Sequence, residues 1–101
     1  MTHNTIYKQP SECQNIDEVR REIDRIDCNI IALLSERLGY VREVVKYKDN
    51  TESGIAATER REQVLSTRGQ WAEEGGLDPA VVANLYDQLI DYFISEEKKL
   101  I

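Results

Sequence analysis

The chain has 101 residues, 41% of them hydrophobic and 32% charged, with a net charge of -6. This is the length of one domain, 1–101, and an acidic chain with no Lys/Arg run is a poor match for nucleic acid or an anionic membrane. An anionic small molecule would have to be held by a few placed cations, because the bulk field has the wrong sign.

Residues 1–15 read as mostly irregular. Gln9-Pro10-Ser11 is a turn signal, and Pro10 bars a helix through that point. The opening MTHNTIYKQP has no apolar run of signal-peptide length, and no stretch approaches the ~20 apolar residues of a membrane span. The chain is therefore expected in the cytoplasm. Cys13 and Cys28 lack CxxC spacing and a His pair, so they read as free thiols with neither disulfide nor metal. His3, the one histidine, receives no role.

From Ile16 to about Lys48 the spacing predicts one long amphipathic helix, capped by Asn15 or Asp17. Val19, Ile23, Ile26, Ile30 and Leu33 form one apolar stripe. Ile31, Leu34, Leu38, Val41 and Val45 form a second beside it. Such a helix runs roughly 48 Å, whereas a compact chain of this size has a radius of gyration of about 13 Å. Arg37 continues the first stripe and Lys48 the second, so two cations stand where the period calls for apolar residues. On one helix they would lie about three turns apart and within ~20° of each other. They either snorkel to solvent, with Lys48 ending the helix, or form a half-buried anion site. Periodicity alone leaves both open.

Asp49 to Ala57 reads as a loop, either a plain connector or a lid. A second helix is expected from an N-cap at Thr58 to Glu74, stopped by Gly75-Gly76, with Trp71 in core or interface packing. Asp78-Pro79 is an N-cap followed by Pro at the first helical position, and it starts a third helix to about Leu100. Tyr86, Ile90 and Phe93 lie on one stripe of that helix, and Glu97 is its anomalous fourth member. The simple reading puts Glu97 in water on a frayed last turn. The fold class is all-α, with three helices, one very long. The two shorter helices cannot cover both stripes of the first, so an obligate dimer along the long helix is expected.

The run Val19-Arg20-x-x-Ile23-Asp24-x-Ile26-Asp27-x-x-Ile30-Ile31-x-Leu33-Leu34-x-Glu36-Arg37, with Lys48 eleven residues on, resembles the all-helical chorismate mutase family. Pro10-Ser11-Glu12-Cys13 and Trp71-Ala72-Glu73-Glu74-Gly75-Gly76-Leu77-Asp78 are most similar to its isochorismate pyruvate lyase branch. The resemblance implies an intertwined homodimer with two sites, each built from both subunits. Arg20 and Arg37 of one helix are about 25 Å apart along its axis, too far to clamp one small molecule. In the family the first arginine reaches into the partner's site.

By that resemblance Arg37 and the partner subunit's Arg20 hold two substrate carboxylates, a task suited to the planar guanidinium fork. Lys48 donates to the ether oxygen of the enolpyruvyl group, and Glu97 matches a second donor to it. Glu59 matches a contact to the ring hydroxyl, and Val44 and Phe93 would line the pocket. The implied reaction takes chorismate to prephenate without cofactor or metal. The runner-up takes isochorismate to salicylate and pyruvate, and one site can do both. Glu97 departs from the Gln of the lyase and of many relatives, while some mutases carry Glu. An amide donates at any pH, a carboxyl only when protonated, so activity is expected to rise toward acidic pH. The loop also lacks the prolines of the lyase loop. The rival readings are a non-catalytic helical dimer and an enzyme for an amino-substituted chorismate.

Overall fold

The computed structural model describes residues 7–48 and 54–100. His3 and positions 49–53 of the expected loop lie outside the described residues. Every helix expected from the spacing is present: α1 (Ile16–Val44), α2 (Gly54–Glu74) and α3 (Pro79–Lys98), with short 3-10 turns at Pro10–Glu12 and Val45–Tyr47. The fold is all-α. Among the described residues, no helix is long and apolar enough to cross a membrane. The chain divides into two compact units, Met1–Tyr40 and Val41–Ile101, with the boundary inside α1.

In the first unit a short strap is fastened to the opening turns of α1. Asn15 is the cap: its Oδ1 accepts the Glu18 N–H at 2.9 Å. The Lys8 ammonium donates to Glu18 at 2.6 Å, and the Lys8 N–H reaches Glu22 at 3.4 Å. Arg25 pairs with Glu22 at 2.8 Å and lies 4.1 Å over the Tyr7 ring. Lys8 holds the Glu18 carboxyl below its ordinary range, and Arg25 does the same for Glu22. The apolar stripe, by contrast, is open: Ile23, Ile26, Ile30 and Leu33 are 51%, 47%, 47% and 62% exposed in the single chain.

In the second unit α2 and α3 form an antiparallel hairpin around Val64, Ala72 and Phe93, all buried. The turn between them is a Schellman motif. Leu77 N–H donates to the Ala72 carbonyl at 2.8 Å and Gly76 N–H to that of Glu73 at 3.1 Å. Gly76 takes φ +82, which a residue without Cβ adopts at little cost. Asp78 then caps α3 by accepting from Ala80 N–H at 2.9 Å, with Pro79 following it. The far end is tied by Arg61, whose fork grips Asp87 Oδ1 at 2.9 and 2.7 Å and Asp91 Oδ1 at 2.9 Å.

Two boundaries differ from the expectation. The α-helix ends at Val44, and Val45–Tyr47 tighten into a 3-10 turn closed by Lys48 N–H to the Val45 carbonyl at 3.3 Å. Two consecutive β-branched valines lower helix propensity there. Lys48 is extended (φ -96, ψ 132), so helical periodicity does not place it relative to Arg37. At the other side α2 starts at Gly54, because Ala56 and Ala57 favour helix, and Thr58 lies inside α2 and does not cap it. Trp71 is 57% exposed and is therefore not core; Arg68 stacks on it at 4.7 Å.

Candidate active site

The site is best built from the last turn of α3. Residues 86, 90, 93 and 97 share a helical face, with Phe93 buried at 4% exposure. One turn further on, Glu97 is drawn off the aqueous reading. Its carboxylate accepts from the Lys48 ammonium at 3.1 Å (Oε2) and 3.4 Å (Oε1). The side chains of Lys48 and Glu97 are 35% and 18% exposed, so the pair is half-buried and open to solvent on one side. Lys48 reaches it because the 3-10 turn ends there and turns the backbone out of the helix.

The neighbouring residue makes a parallel pairing. Glu96 forms an ion pair with Lys99 at 2.5 Å and faces Arg42, of the last turn of α1, at 3.6 Å. The Lys99 contact, with Arg42 adding to it, holds the Glu96 carboxyl below its ordinary range, and Glu96 in turn raises Lys99. The sequence reading missed Arg42 and Glu96. The available signal was two consecutive acids at the negative end of a helix, where a carboxylate has the wrong sign.

The other expected residues are distributed as follows. Val44 ends α1 and is 43% exposed; Glu59 is exposed on the second turn of α2. With Lys48, Phe93 and Glu97 they belong to the second unit. Arg20 (exposed) and Arg37 (half-buried) belong to the first, both on α1. Seventeen residues separate them along this continuous helix, about 25 Å, too far for both to touch one small ligand within a single chain.

Chemically, Lys48 offers three N–H donors on a fixed positive charge. Such a group stabilises negative charge developing on a leaving ether oxygen without proton transfer from the enzyme.

The fold and this pairing define a small all-helical protein with a lysine–carboxylate site at the end of its last helix. The chain belongs to the chorismate mutase type II family, whose model matches residues 19–98. It is 39% identical over 92 residues to the isochorismate pyruvate lyase of Pseudomonas aeruginosa, covering 91% of this chain and 90% of that protein. It is 30% identical over 90 residues to the bifunctional chorismate mutase/prephenate dehydratase of Aquifex aeolicus, covering 86% of this chain but 25% of that protein. The family and both relatives carry the names of enzymes.

Proposed function

We propose that this chain is a chorismate mutase working as a homodimer. The observation that carries the reading is the meeting of Lys48 and Glu97, 49 residues apart in sequence, within a chain of this family. Lys48 donates to the ether oxygen of the enolpyruvyl group. As the C–O bond breaks ahead of C–C bond formation, negative charge builds on that oxygen. A fixed ammonium stabilises this charge more in the transition state than in the ground state. Protonated Glu97 supplies a second donor to the same oxygen.

Arg37 and the partner subunit's Arg20 hold the two carboxylates, Glu59 contacts the ring hydroxyl, and Val44 and Phe93 line the pocket. The arginines hold the mobile enolpyruvyl chain near its attack geometry, so part of the barrier is met by orientation. The rearrangement breaks one C–O bond and forms one C–C bond with no atom gained or lost, and needs no cofactor. The dimer is supported by the exposed stripe of α1, because Ile23, Ile26, Ile30 and Leu33 open to water are unfavourable in a lone chain.

A second reading is favoured by the 39% identity with a named isochorismate pyruvate lyase along nearly its whole length. There the same ether bond breaks, a ring hydrogen passes to the enolpyruvyl methylene, and salicylate and pyruvate leave. Both readings place Lys48 at the ether oxygen. Lys48→Gln is expected to lower kcat by about 10²–10³-fold on the active substrate. A variant as active as wild type removes Lys48 from the chemistry in both.

A further inference from the structure

We infer that Arg42 and Glu96 are positioning residues whose pairing sets the last turn of α3 so that Glu97 meets Lys48, an inference that rests on the role proposed for that pair. Consecutive helical residues point about 100° apart. Glu96 and Glu97 accordingly face cations on either side of the point where α1 ends. Arg42 stands in its last α-helical turn, and Lys48 follows the 3-10 turn.

The helix end itself does not favour these acids, although Lys99 supports Glu96 from three residues on. Both lie at the negative end of α3, and they repel each other. Cations offset the cost, and they are divided between the two: Glu96 engages Arg42 and Lys99, while Glu97 engages Lys48. The burial is also uneven. The Glu96 side chain is 11% exposed, against 54% for Arg42 and 73% for Lys99, so the carboxylate is the fixed member to which the long side chains come.

The two pairs differ in what they hold. Arg42 is part of α1 proper, where the backbone is held by successive helical hydrogen bonds. Lys48 follows a short 3-10 turn closed at 3.3 Å. A ligand that takes up Lys48 donors loosens the Lys48–Glu97 contact, while Arg42–Glu96 continues to fix the end of α3. Neither Arg42 nor Glu96 needs to touch the substrate.

The test compares Glu96→Gln, Arg42→Gln, the double variant and Arg42→Lys with wild type. It uses turnover of chorismate and isochorismate and the side-chain ¹⁵Nζ resonance of Lys48. Each single variant is expected to lower kcat several-fold, up to about tenfold, with KM changed less than about twofold. The double variant should be no worse than either single one, because both remove one interaction. Arg42→Lys should recover most of the loss, and the Lys48 resonance should shift or broaden in Glu96→Gln. Additive losses, a rise in KM at constant kcat, or unchanged kinetics overturn the inference. If Glu96→Gln does not fold, the Arg42 variants carry the same comparison from the exposed partner. If wild type turns over neither substrate, the reaction assignment fails by itself. The Lys48 resonance then decides the positioning claim, and an unchanged signal in both Gln variants overturns it.

Discussion

The Lys48 ammonium and the Glu97 carboxylate, 49 residues apart in sequence, meet at 3.1 Å where the last turn of α3 comes beside the end of the 3-10 turn. An ionised Glu97 in this pair accepts hydrogen bonds and cannot donate one to an ether oxygen. A protonated Glu97 can. Turnover is therefore expected to rise toward acidic pH in wild type, and Glu97→Gln is expected to be flat with pH and equal or better near neutrality. A shared pH profile for the two proteins places Glu97 away from the ether oxygen.

The two arginines of α1 make a prediction about subunits. Arg20→Ala and Lys48→Ala should each be nearly inactive alone. Mixed and reassociated, they should regain about a quarter of wild-type activity, since half the dimers are mixed and each has one intact site. No recovery, with exchange confirmed by mass, means that Arg20 does not act across the dimer.

Arg61 predicts a stability effect separate from chemistry. Its fork spans Asp87 and Asp91 and ties the start of α2 to the middle of α3. Arg61→Ala is expected to cost about 1–2 kcal/mol, with most of the loss from Asp87, because Asp91 is the more exposed. Arg61→Lys should recover little, since an ammonium does not reproduce a planar fork. Urea midpoints of the three proteins measure this.

Acid stability follows from carboxyls held below their ordinary value of 4.5. Glu18 is lowered chiefly by Lys8, Glu22 by Arg25 and Glu96 by Lys99. Each contributes stability above about pH 4.5 that is lost as pH falls through its lower folded value. The melting temperature should therefore fall below pH 4.5, and less steeply in Glu18→Gln. An assay at pH 5 keeps these pairs intact, so an acidic rise in turnover is not a folding effect. Lys99 is raised by Glu96, so its contribution is present at neutral pH and is lost only above its ordinary value of 10.5.

Much of this architecture is local and was readable from the chain. The apolar stripes of α1, the Gly75-Gly76 stop and the Asp78-Pro79 start each depend on residues within a turn or two. The end of α1 was not readable, because an α-helix and a 3-10 turn differ by one hydrogen-bond offset, and only the Val44-Val45 pair hints at the change. Ala56-Ala57 extended α2 through what looked like a loop. Glu97 was visible as a break in the stripe of α3, but its partner was not, since spacing carries no tertiary contact. Arg42 and Glu96 were passed over for the same reason.

The most direct measurement is turnover by the purified protein on chorismate and on isochorismate, each at pH 5 and pH 7.5. The expected result is loss of chorismate absorbance with prephenate formed, faster at pH 5, and little salicylate fluorescence. Salicylate formed much more efficiently than prephenate moves the assignment to the lyase with Lys48 in the same role. No turnover of either substrate at either pH contradicts the role of Lys48 and Glu97 at an ether oxygen.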